Sequence, residues 1–119
     1  MTIDMHIKFD RHATEQQLRE RWQRGITVAA SELRRYSNQY VRFLTGKMKD
    51  SSYMSSDLSN GLVIWDTPYA HYAYENKNNT HITRESNKNP NAMDHWADYA
   101  IKHHLKEIER TVQKEVRRA

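Results

Sequence analysis

Apolar and polar residues alternate at the start of the chain, Ile3, Met5, Ile7 and Phe9 against Thr2, Asp4, His6 and Lys8, which is the period of a half-buried strand. Past Ala13 the period changes. Leu18, Trp22, Ile26, Ala29, Leu33, Tyr36 and Tyr40 recur every three or four residues, so one long amphipathic helix is expected through to about Leu44. Thr14 and Gln17 have the spacing of a capping box at its start. Gly25 in its interior costs about 1 kcal/mol relative to Ala and marks a bend or a close helix contact.

Thr45-Gly46 interrupts the helical pattern, with Gly46 suited to a left-handed turn residue. Asn60-Gly61 is then a strong hairpin signal, because a type I′ turn needs positive φ at both central residues. A two-residue loop there sets Leu58 opposite Val63 and Ser56 opposite Trp65, with Met54, Leu58, Val63 and Trp65 on one face against the long helix. Pro68 suits the first turn of a short helix capped by Asp66 or Thr67. Residues 76–91 hold one aliphatic residue, Ile82, among many Asn, and are expected as a polar loop or weak hairpin. Trp96, Ala100 or Ile101, Leu105, Ile108, Val112 and Val116 form a last helical stripe, from about Ala92 to near the C-terminus. The expected fold is α+β: an N-terminal and a C-terminal helix packed on a small antiparallel sheet, in one domain spanning residues 1–119.

Composition narrows the chemistry. The 119 residues carry 37% hydrophobic and 29% charged side chains, enough for a thin core under a wet surface. There is no Cys, which removes disulfides and thiolate metal sites and suits synthesis in a cytosol. The N-terminus lacks the pattern of a signal peptide, and no apolar stretch approaches a membrane span. The net charge of +4 is unevenly placed. Six Arg stand against three Glu over Thr14–Arg42, six Lys or Arg against three Glu over Lys102–Arg118, and two Lys against four carboxylates over Phe43–Glu75. Mixed-sign helices of this kind are usually solvated faces.

No catalytic pattern emerges. Adjacent His103 and His104 diverge by about 100° on a helix and cannot share a metal. His71 with Glu75, and Asp94 with Asp98, offer only two ligands each, so neither metal nor cofactor is expected. There is no nucleophile elbow or Gly-rich phosphate loop, and an enzyme is not expected. His95, Lys102, His103, Lys106 and Arg110, with Arg34 and Arg35, could touch phosphates. A small basic nucleic-acid-binding protein is therefore the alternative reading, without a motif that would read sequence. Aromatic residues cluster at Trp65, Tyr69, Tyr72 and Tyr74, either as near-core packing or as an interface.

Three stretches in this order, "LTGKMKDSS", "GLVIWDTPYAHYAYE" and "AMDHWADYAIKHHLKEI", resemble the small minor capsid proteins of tailed bacteriophages, within the tail-completion and head-tail connector group. The resemblance, over about residues 14–112, rests most on Trp65-Asp66-Thr67-Pro68-Tyr69-Ala70, supported by Thr45-Gly46 and by His95-Trp96 with Ala100, and it implies Tyr72 as a further structural-motif residue. Three places depart from the family pattern: Arg42-Phe43-Leu44 where Pro is usual before Thr-Gly, Glu75-Asn76 where Gly is common, and the following loop, which is richer in Asn and lacks the usual Pro-Gly character. The resemblance implies a structural virion protein of the neck, assembled in the host bacterial cytoplasm. Its copies would form a homo-oligomeric ring, a hexamer being one option, between head connector or stopper proteins and the tail tube. Neither specific nucleic acid nor membrane is implied as a partner. Trp65 and Tyr69 would then fix their helix on the sheet. Asn79, His81, Ile82, Arg84 and Lys88 would form the loop that reaches a neighbouring subunit.

Overall fold

The computed structural model describes residues 5–41, 46–68, 70, 74–75 and 88–118. Among these it is all-helical. Helix α1 is Glu15–Ser37, α2 is Lys47–Ser55 and α3 is Trp96–Arg117, with single 3-10 turns at Asn38–Tyr40 and Leu58–Asn60.

The two long helices form where the 3.6-residue periodicity predicted them. At the start of α1 the Thr14 hydroxyl accepts from the Gln17 amide at 3.2 Å, while the Gln17 side chain accepts from the Thr14 amide at 2.9 Å. The capping box thus satisfies two otherwise orphan donors. The α-helix ends at Ser37, earlier than the pattern suggested, by tightening into the 3-10 turn. Helix α3 begins at Trp96, after His95, whose φ of 48° is the one positive value at a non-glycine among the described residues.

Helices α1 and α3 run antiparallel, Gly25 meeting Val116 at one end and Tyr40 meeting Tyr99 at the other. A Cβ on Gly25 would lie 2.9 Å from Val116 Cγ1 and 3.6 Å from Val112 Cγ1. Of the two roles open to this glycine, the close helix contact is the one adopted. Ile108, Val112 and Val116 form one core cluster, flanked by Val28, Ala29 and Tyr36 from α1. A second cluster gathers Val41, Met48, Ala70 and Trp96 where α2 meets the start of α3.

The antiparallel sheet of the α+β expectation is absent among the described residues, and each piece fails for its own reason. Met5, Ile7 and Phe9 turn towards the core cluster while His6, Lys8 and Asp10 face solvent, so the segment has the alternating faces of a strand without being one. What is missing is a partner strand. The Lys8 backbone is paired by a side chain of α3: its N–H donates to Gln113 Oε1 at 2.7 Å and its carbonyl accepts from Gln113 Nε2 at 2.8 Å. His6 N–H reaches Glu109 Oε1 at 3.3 Å.

The hairpin is replaced too. "KMKDSSYMS" is helix α2, and Met54, expected on the buried face, is 86% exposed. Asn60-Gly61 does not make a two-residue turn. Asp57 and Leu62 exchange both backbone hydrogen bonds at 2.9 Å across a four-residue loop. The Asp57 carboxylate accepts from Ser59 Oγ at 3.0 Å and Asn60 Nδ2 at 2.6 Å. That bond engages the Asn60 side chain in the 3-10 turn, and only Gly61, at φ 71°, takes the left-handed conformation. Beyond it Ser56 Oγ, not a backbone group, receives the Ile64 N–H at 2.9 Å.

Candidate functional site

Trp65 sits at the junction of α1, α2 and α3. Its indole N–H donates to Asn38 Oδ1 at 2.9 Å, and Asn38 Nδ2 donates to Ser52 Oγ at 2.9 Å. Ser52 Oγ in turn donates to the Lys49 carbonyl at 2.7 Å, and neighbouring Ser51 Oγ donates to the Met48 carbonyl at 2.6 Å while receiving the Asp66 N–H at 3.1 Å. Buried polar groups are tolerated when each finds a partner. Here the chain Trp65–Asn38–Ser52 ties three segments together. Trp65 also packs edge-to-face on Trp96, ring centroids 5.6 Å apart, and Tyr74 does so from another side at 4.7 Å. Trp96 is 1% exposed and is the larger anchor of this junction.

Of the motif residues, Gly46, Trp65, Asp66 and Trp96 converge around this junction. Gly46 has the left-handed backbone expected of it, φ 86°, but opens α2 where it was expected to close the preceding helix. Pro68 is exposed. Thr45, Tyr69 and Tyr72 lie outside the described residues, as do Asn79, His81, Ile82 and Arg84 of the expected interface loop. Lys88, at that loop's far end, is exposed beside a polar recess shared with Gln39, Lys49 and Asn91.

A second polar group lies further along the α1–α3 seam. Tyr40 Oη and His104 Nε2 are 2.8 Å apart, and His104 Nδ1 is 3.1 Å from Glu107 Oε2. Tyr36 stacks on the His104 ring at 4.2 Å and Tyr99 meets Tyr40 edge-on at 4.7 Å. A hydrogen bond to Glu107 raises the Tyr36 hydroxyl above its usual range, and burial raises that of Tyr40. Glu107 moves the other way, held down first by Tyr36 and then by His104. The stacked rings place this Tyr–His–Glu line along the seam between α1 and α3. Sequence reading missed Asn38, Ser51, Ser52, Tyr40 and His104 as partners, and polar residues on the helix side facing a neighbour were the available signal.

At His95 the left-handed backbone is accompanied by its N–H donating to the Tyr74 carbonyl at 2.9 Å. Its ring lies between Glu75 and Asp98, each at 3.7 Å. Among the described residues no group of three or more potential ligands is placed to hold a metal. None of the helices described is long and apolar enough to cross a membrane.

The surface carries large apolar groups. Trp22 is 59% exposed and lies 6.3 Å from Phe9, at the mouth of an apolar groove of about 230 Å³ between α1 and α3, lined by Ile7, Ile26, Leu33, Ile101 and Leu105 among others. Tyr53, Met54, Leu62 and Ile64 are exposed elsewhere. A family model described as minor capsid protein matches residues 5–116. No curated protein and no solved structure gives a significant match.

Proposed function

The chain belongs to the minor capsid protein family, which makes it a structural component of a virion, and from that premise we propose that it acts at the neck of a tailed bacteriophage, as a ring of identical copies joining the filled head to the tail. The family match across residues 5–116 carries the reading. The uncovered side chains support its finer part. In a ring each subunit shows two different surfaces to its neighbours. Trp22 beside the groove, and Met54 with Tyr53 at the end of α2, are two separate apolar places of that kind. Aromatic residues and Met are favoured at the centres of protein interfaces.

Disrupting the gene in its phage and imaging the lysate tests the role. Filled heads and finished tails lying unjoined are expected, and intact infectious particles would remove the neck assignment. Trp22→Ser is expected to leave the free fold intact and to reduce assembly.

A further inference from the structure

The charges of α3 are sorted by sign. Of its carboxylates, Glu109 reaches the His6 amide and Glu115 lies between Arg24 and Arg118, while Asp98 and Glu107 sit beside His95 and His104, each three residues back. Its cations Lys102, Lys106, Arg110, Lys114 and Arg117 are all exposed; Arg110 lies in the field of Glu107, and none makes a direct ion pair or hydrogen bond among the described residues. At about 100° per residue these five fall within roughly a third of the helix circumference, opposite the face that buries Ile108 and Val112. They run for about 22 Å along the axis at 1.5 Å per residue. Mixed-sign helices normally intersperse their charges; here a cationic stripe is left outside, with Gln113 and its Lys8 partner along one side of it and Glu107 at its other edge.

We infer that this stripe is a docking face for the phosphate backbone of duplex DNA, bound without regard to sequence. A row of exposed Lys and Arg that make no direct ion pair is the electrostatic footprint of such binding. Reading bases needs side chains free to reach their edges. Gln113, the one amide side chain on α3, is held on both sides by Lys8 and is not free to read adenine; the remaining contacts are cations to phosphate, which position without reading sequence. In the virion reading, on which the biological setting rests, the DNA is the genome passing or abutting the neck; binding itself is a property of the free chain.

The test is fluorescence anisotropy of the purified full chain with a random-sequence DNA duplex between 50 and 200 mM salt. With about five phosphate contacts the affinity should fall about 500-fold over that range. The triple variant K106Q/R110Q/K114Q should bind more weakly and fall only about tenfold. R11Q/R19Q/K47Q, which removes the same charge from exposed positions elsewhere, should keep the steep dependence. No binding by the natural chain at 50 mM salt, or equal loss in both triple variants, overturns the proposal. So does a stripe variant that binds DNA normally yet fails to assemble, because the stripe would then meet an acidic protein surface. Failure here is distinct from failure of the neck role, which the disrupted phage reads without any DNA-binding assay.

Discussion

Gln113 grips the backbone of Lys8 in both directions, receiving its N–H at 2.7 Å and donating to its carbonyl at 2.8 Å, as the next strand of a sheet would. One side chain thereby replaces a strand. Gln113→Ala should cost about 1–2 kcal/mol, the net worth of two such bonds, read as a lower urea midpoint with faster hydrogen exchange at the Lys8 amide. Gln113→Glu keeps the acceptor but sets a carboxylate oxygen against the Lys8 carbonyl, so it should not restore the loss.

Gly25→Ala should destabilise despite the helix propensity it gains. The new methyl would sit 2.9 Å from Val116 Cγ1, and overpacking of a tight contact costs about 1–3 kcal/mol against the roughly 1 kcal/mol gained. Combining it with Val116→Ala should recover part of the loss, so the double variant melts higher than the sum of the singles predicts.

The two tryptophans of the junction should separate in a truncation experiment. Trp96→Ala, at a position 1% exposed, is expected to cost about 3–5 kcal/mol. Trp65→Phe keeps most of the ring contact with Trp96 but strands Asn38 Oδ1, worth about 1–3 kcal/mol for a buried group left unpaired. Thermal and urea unfolding of the two variants would settle the order; a larger loss at Trp65→Phe would mean the ring packing is the lesser part.

Stability should depend on pH at both ends through the Tyr36, Tyr40 and Glu107 group. The Glu107 carboxyl is held below its ordinary 4.5 by Tyr36 and then His104. Its contribution is therefore complete above 4.5 and is lost as pH falls through the folded value. Tyr40 is raised above 10.0 by burial, so its contribution is present below 10 and is lost as pH rises through the folded value. Glu107→Gln should flatten the acid limb of urea midpoint against pH, and Tyr40→Phe the alkaline limb.

How far the sequence revealed this molecule differs element by element. Both long helices and the capping box were legible, because apolar periodicity and cap chemistry are local; at Gly25 the sequence left a bend and a close helix contact equally open, and the packing of Val116 decides it. The alternation at Met5, Ile7 and Phe9 correctly showed which side faces inward, yet it could not show that the edge would be met by Gln113, 105 residues away. Helix α2 was hidden by its serines. Ser51 and Ser52 are buried, and each hydroxyl bonds a carbonyl three residues back, so they cross into the core already satisfied. Read along the chain, those same residues signal a turn. Asn60-Gly61 misled because Asp57, three residues upstream, offered Asn60 a hydrogen bond that the two-residue turn does not use. At the junction, Trp65 and Trp96 were marked by type, but the Asn38 bridge between them and α2 required the tertiary fold.

Val112 and Val116 stand one helical turn apart and both touch the hollow at Gly25, so that hollow alone would accept α3 at two axial settings. The far end of the seam tells the settings apart. A slip of one turn would bring Ala100 under Tyr36 and Tyr40 in place of His104, and Glu109 to Lys8 in place of Gln113, losing a ring, a hydroxyl partner and a donor together. The helix pair thus behaves as a ratchet with a smooth tooth at one end and a keyed tooth at the other, and its keyed end fixes where every outward-facing side chain of α3 is presented.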